Sequence, residues 1–90
     1  MRLDIRTYGT VREAFGEKAF GHEAPSPATV GEIFSDLDAE CPDISLLESF
    51  ETGALLVLKN GTHVTQLDGL ATTLADGDRL SLTSPPMPDG

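Results

Sequence analysis

Leu3, Ile5 and Thr7 alternate with Arg2, Asp4 and Arg6, and a period of two puts one set on a buried face and the other in water. The chain is therefore predicted to open with a strand. Residues 10–15, bounded by Gly9 and Gly16, fit a short helical turn, and residues 18–24 are predicted to pair back onto the first strand until Pro25 and Pro27 stop them. Thr29 then precedes Val30, Ile33, Phe34, Leu37 and Cys41, which form one apolar stripe at helical spacing. Glu32, three residues after Thr29, completes a capping box, and Pro42 ends the helix. Cys41 falls on the stripe and is expected in the core, with no basic neighbour to activate its thiol.

Residues 43–53 read as a connection in which Ile44, Leu47 and Phe50 cover one edge of the core. Residues 54–58 read as a strand, Asn60-Gly61 as a type I′ hairpin turn whose two central positions need φ > 0, and residues 62–67 as the returning strand. Leu56 and Leu58 are assigned to the helix side, which leaves Leu55 and Val57 on the opposite face beside Lys59. That face is either an exposed docking patch or part of a central strand covered on both sides, since an unbroken apolar run suits both. Asp76-Gly77-Asp78 makes a further tight turn, and residues 79–83 form a last strand with Leu80 and Leu82 facing in. The expected architecture is α+β, one sheet with a single main helix packed across one face. It occupies residues 1–84 as one domain.

Fifteen acidic against six basic residues give a net charge of −9, which argues against nucleic acid, because phosphate backbones are bound chiefly through Lys and Arg. Lysine is confined to Lys18 and Lys59 while acids are spread along the chain, a distribution that resembles the surface of a halophilic protein. Self-repulsion of this kind is relieved by salt, so stability is expected to rise with ionic strength. The longest apolar run, residues 54–58, is far too short to span a bilayer, and Asp4 and Arg6 interrupt any N-terminal hydrophobic segment. The expectation is a soluble cytoplasmic monomer. A single cysteine excludes an internal disulfide. His22 and His63 have no partners at metal-ligand spacing and are expected at the surface, the Asp76-Gly77-Asp78 triplet lacks the other donors of a calcium loop, and no residue set supports catalysis.

The six residues Pro85-Pro86-Met87-Pro88-Asp89-Gly90 follow the last strand. Proline fixes φ and favours extended, solvated backbone, so this stretch can project a glycine carboxylate roughly 20 Å from the fold. The reading is an extended flexible tail over residues 85–90; the alternative is an ordinary frayed end.

Several motifs are similar, in order, to those of the β-grasp family of ubiquitin-like sulfur carriers and modifiers, which includes MoaD, ThiS and the small archaeal modifier proteins. They are Gly9-Thr10-Val11-Arg12-Glu13-Ala14-Phe15-Gly16, Thr29-Val30-Gly31-Glu32, Leu58-Lys59-Asn60-Gly61, Leu67-Asp68-Gly69-Leu70, Ala75-Asp76-Gly77-Asp78-Arg79-Leu80 and Pro85-Pro86. The resemblance covers nearly the whole chain, and Leu67-Asp68-Gly69-Leu70 together with the acidic balance is closest to the archaeal modifiers. It implies a ubiquitin-like β-grasp with a mixed sheet of four to five strands. It also implies a partner, an adenylating enzyme resembling the ubiquitin-activating enzymes, which uses ATP and magnesium while the chain itself binds no cofactor. Gly90 would be the activated residue, its missing Cβ letting the backbone lie against the nucleotide. Acceptors would be a sulfur-accepting enzyme or lysines of target proteins. Lys18 and Lys59 are not expected to build chains on the protein itself.

The family's tail normally ends Gly-Gly, whereas Asp89 stands at the penultimate position here and Pro88 before it removes an amide donor. A carboxylate beside ATP phosphates is repelled unless a cation meets it. The alternative function is thus a β-grasp binding module that has lost activation.

Overall fold

In a computed structural model, which describes residues 1–84, the opening alternation becomes β1 (Arg2–Tyr8), with Leu3, Ile5 and Thr7 buried and Arg2 and Tyr8 exposed. The tail residues Pro85, Pro86, Met87, Pro88, Asp89 and Gly90 lie outside the described residues. After β1 come α1 (Gly9–Phe15), β2 (Ala19–Glu23), β3 (Ala28–Thr29), α2 (Val30–Glu40), α3 (Leu46–Glu51), β4 (Leu56–Lys59) and β5 (Thr62–His63). Two 3-10 turns, Val64–Gln66 and Gly69–Ala71, lead to β6 (Thr73–Leu74) and β7 (Arg79–Thr83).

Five strands form one sheet in the order β2-β1-β7-β4-β5, and β3 pairs with β6 in a small separate ladder. β1 and β7 run parallel, with Ile5 opposite Leu80 and Thr7 opposite Leu82; β4 lies antiparallel on the other side of β7, with Val57 opposite Leu82. The last strand therefore sits at the centre of a mixed sheet, held by both neighbours.

One helix covers the inner face of that sheet. α2 places Val30, Ile33, Phe34 and Leu37 in the same buried cluster as Leu3, Ile5, Val57, Leu80 and Leu82. Both arms of the capping box form, since the Glu32 amide donates to Thr29 Oγ1 at 3.3 Å and the Thr29 amide donates to Glu32 Oε1 at 3.1 Å. A cap of this kind contributes about 1 kcal/mol. No helix among the described residues is long and apolar enough to cross a membrane.

Asn60 and Gly61 take φ values of 50° and 88°, as the type I′ turn requires. The returning strand is only two residues long, because the chain turns at Val64 to bury that side chain. The connection at residues 43–53 contains α3, whose N-terminus is satisfied from two directions. Ser45 Oγ accepts from the Glu48 amide, and the Asp38 carboxylate of α2 accepts from the amides of Leu46 at 2.7 Å and Leu47 at 3.3 Å. That second cap is a tertiary contact and leaves no local signature.

Three expectations are corrected. Leu55 and Val57 are only 3% and 2% exposed, so they belong to the core and form no docking patch; Leu56 and Leu58 face outward. The cause is register: Val57 shares a face with its cross-strand neighbour Leu82, which points inward, and the uniformly apolar run carried no alternation to reveal it. Cys41 is the C-cap of α2 rather than a core residue; it is half-buried, and its thiol donates to the Ala14 carbonyl at 3.3 Å. His22 is not at the surface. It lies on the inner side of β2 with its side chain 10% exposed, Nε2 standing 3.6 Å from Asp36 Oδ2.

Candidate functional site

The tail is launched from the end of β7, where Thr83 stands opposite Tyr8 and Ser84 meets the start of α1. The Ser84 and Thr10 hydroxyls are hydrogen-bonded to each other. Gly9 adopts φ +60°, and a Cβ there would lie 3.5 Å from Ser84 Cβ, so glycine is needed for its left-handed backbone rather than for space. Arg12 Nε donates to the Thr7 carbonyl at 3.1 Å, and its guanidinium stands 5.3 Å from the Tyr8 ring centroid. This cation–π contact holds both side chains beside the tail root.

From there the outer face of the sheet continues as rows set by register. Tyr8, Thr83 and Leu56 form the row next to the tail, and Arg6, Ser81, Leu58 and His63 form the next. Tyr8 is 43% exposed, one of the large exposed apolar residues, while Leu56 and Leu58 are half-buried. The outer face at the end of β7 thus combines the apolar side chains of Tyr8 and Leu56 with the hydroxyls of Thr10 and Ser84 and the guanidinium of Arg12.

Beyond these rows Asp4 is gripped by two arginines. Arg6 reaches it with Nε to Oδ1 and Nη2 to Oδ2, both at 3.0 Å, and Arg79 Nε donates to Oδ2 at 3.2 Å. The hydrogen bond from Arg6 chiefly holds the Asp4 carboxyl below the usual carboxylate range; slight burial opposes it, and the charges of Arg6 and Arg79 add to it. Arg6 in turn is held above its ordinary value by the same bond.

Lys59, expected on a docking face, is instead engaged at the sheet margin. Its ammonium donates to the Thr73 carbonyl at 3.1 Å and stands 3.7 Å from Asp78 Oδ2. Burial pushes the Asp78 carboxyl up, but donation from the Ala75 amide and the Asn60 side chain, with Lys59 nearby, outweighs it and leaves the group below its ordinary value. These contacts lock the β4–β5 turn to the start of β7. Among the described residues no group of three or more His, Cys, Asp or Glu side chains could hold a metal ion. Of the expected site residues, Leu55, Val57 and Lys59 are therefore structural, while Pro85, Pro86, Met87, Pro88, Asp89 and Gly90 are not described. The outward residues missed in the sequence are Tyr8, Leu56 and Leu58. Tyr8 was legible, because it continues the outward parity of Arg2, Asp4 and Arg6.

A mixed five-stranded sheet, a main helix across one face and a central last strand opening onto a tail define a ubiquitin-like β-grasp protein. A model described as the ThiS family matches residues 5–86. Small archaeal modifier protein 3 of Haloferax volcanii is 40% identical over 88 residues, covering 94% of this chain and 96% of that protein. The solution structure of the HVO 2177 protein of Haloferax volcanii superposes with a TM-score of 0.83 at 36% identity, covering 99% of this chain and 87% of that one. The crystal structure of SAMP1 from the same organism gives 0.79 at 22% identity with both chains fully covered, which bears on the fold alone. The chain belongs to the ThiS family, within the ubiquitin-like group of MoaD, ThiS and the small archaeal modifiers. It is a ubiquitin-like sulfur carrier or modifier and not an enzyme.

Proposed function

We propose that the chain docks on an adenylating enzyme through the outer face around Tyr8, Leu56 and Leu58 and delivers the Gly90 carboxylate into that enzyme's ATP site. A carboxylate oxygen attacks the α-phosphorus of magnesium-bound ATP, pyrophosphate leaves, and an acyl adenylate forms. Sulfide then displaces AMP to leave a thiocarboxylate, or a lysine amine displaces it to leave an isopeptide bond. The observation that carries this reading is the place of β7. Clamped between β1 and β4, it fixes the tail root beside an outward apolar patch, so docking of that patch aims the residues that follow. Membership of the ThiS family supports the same chemistry.

Asp89 favours a second reading, a binding module that is no longer activated, because its carboxylate would enter the site beside the ATP phosphates. ATP–pyrophosphate exchange with the host's activating enzyme separates the two. The proposal expects exchange by the native chain and a drop on the order of ten-fold for Leu58→Asp with the fold retained, about 1.4 kcal/mol of lost binding. No exchange by the native chain, together with exchange by Asp89→Gly, would establish the binding module instead.

A further inference from the structure

The ladder between β1 and β2 determines which backbone groups of β2 are used. Met1 and Ala24 exchange hydrogen bonds at one end, and the Thr7 amide donates to the Lys18 carbonyl at the other. Between them Leu3 stands opposite His22, and Ile5 opposite Phe20. Hydrogen-bonded pairs recur every second residue in an antiparallel ladder, so Phe20 and His22 point their backbone groups at β1. Ala19, Gly21 and Glu23 point theirs away, toward an edge on which no strand of the described residues lies. All three residues are exposed, and the edge carries neither proline nor bulge. Such an edge is a template for a further strand.

Beneath it, between β2 and the end of α2, lies a cavity of about 380 Å³. Its apolar wall is built from Phe15 and Phe20, whose ring centroids are 5.6 Å apart, together with Cys41 and Pro42. Its rim is acidic, formed by Glu17, Glu40 and Asp43. The C-terminal end of α2 adds partial negative charge at the same place.

We propose that the free edge of β2 receives an extended segment of a protein partner whose inward side chain is apolar and whose flanks carry arginine or lysine. Main-chain hydrogen bonds to Ala19, Gly21 and Glu23 supply the strand pairing, the Phe15–Phe20 wall takes the apolar side chain, and the rim selects basic flanks. Acids along the edge also oppose a second copy of this chain, because two β2 edges paired antiparallel would set Glu17 beside the Glu23 of the other copy. The site shares no residue with the outer face around Tyr8, Leu56 and Leu58, so it stands or falls independently of the activation chemistry.

Amide hydrogen exchange on the full chain tests it, with a short synthetic peptide of alternating valine and threonine bearing arginine at both ends as probe and a glutamate-ended peptide as control. The expected result is exchange roughly ten-fold slower at Ala19, Gly21 and Glu23 with the arginine peptide and unchanged with the control. Phe20 and His22, already bonded to β1, should change little. Ala19→Pro removes an edge donor without touching the β1 ladder, and Asp43→Lys alters only the rim; each should abolish or weaken protection while leaving the circular dichroism spectrum intact. No protection, equal protection by both peptides, or protection that grows with protein concentration alone would overturn the proposal, the last by identifying a second copy as the occupant.

Discussion

Replacing Val57 and Leu58 by serine, one at a time, tests the face assignment of β4 on which the docking surface depends. Val57 is 2% exposed and packs in the cluster with Leu82, while Leu58 is half-buried on the outer face opposite Ser81. Val57→Ser removes buried apolar groups worth about 1.6 kcal/mol at ~0.8 kcal/mol per methylene. It also leaves a hydroxyl in an apolar site, which adds roughly 1–3 kcal/mol. The sum, roughly 3–5 kcal/mol, is a large part of the total stability of about 5–13 kcal/mol expected for a domain of this size. Leu58→Ser exposes a side chain that already meets water and creates no closed cavity, so its cost should be about 1 kcal/mol. At ~4–8 °C per kcal/mol the two variants should melt at least about 8 °C apart, Val57→Ser lower. Far-UV circular dichroism melts in molar KCl give the comparison. Equal melting temperatures, or a lower one for Leu58→Ser, would refute the register and with it the outer patch.

Two solution dependences follow from the charges. Asp4 and Asp78 are both held below the ordinary carboxylate value in the folded chain, so between the folded and unfolded values the unfolded chain binds more protons. Their contribution is full above an unfolded value of about 3.9 and is lost as pH falls through the folded values, with Asp4 counting for less because it is partly exposed. Urea unfolding at stepped pH should show Asp78→Asn losing less stability than the native chain below about pH 4; parallel curves would contradict the assignment. With a net charge of −9, the melting temperature should rise between low salt and molar KCl as the Debye length falls from ~30 Å to ~3 Å. A flat or falling trend would remove charge repulsion as the limiting term.

Local patterns determined a good deal by themselves. The alternation in β1, the capped stripe of α2 and the Asn60-Gly61 turn are each written within a few residues, and each formed as expected because the forces that specify them act between near neighbours. Net charge and the tail sequence likewise needed no structure to be read. The sheet order was not legible, since nothing local states that β7 inserts between β1 and β4. Nor was the α3 cap from Asp38, nor the short β3–β6 ladder, both of which join residues distant in the chain. The faces of β4 were decided the same way. In a uniformly apolar run every residue is equally fit for the core, and only pairing with Leu82 on β7 selected Val57 and turned Leu58 toward solvent. Where side-chain chemistry is degenerate along a strand, the partner strand's register supplies the missing information, because a shift by one residue exchanges the two faces.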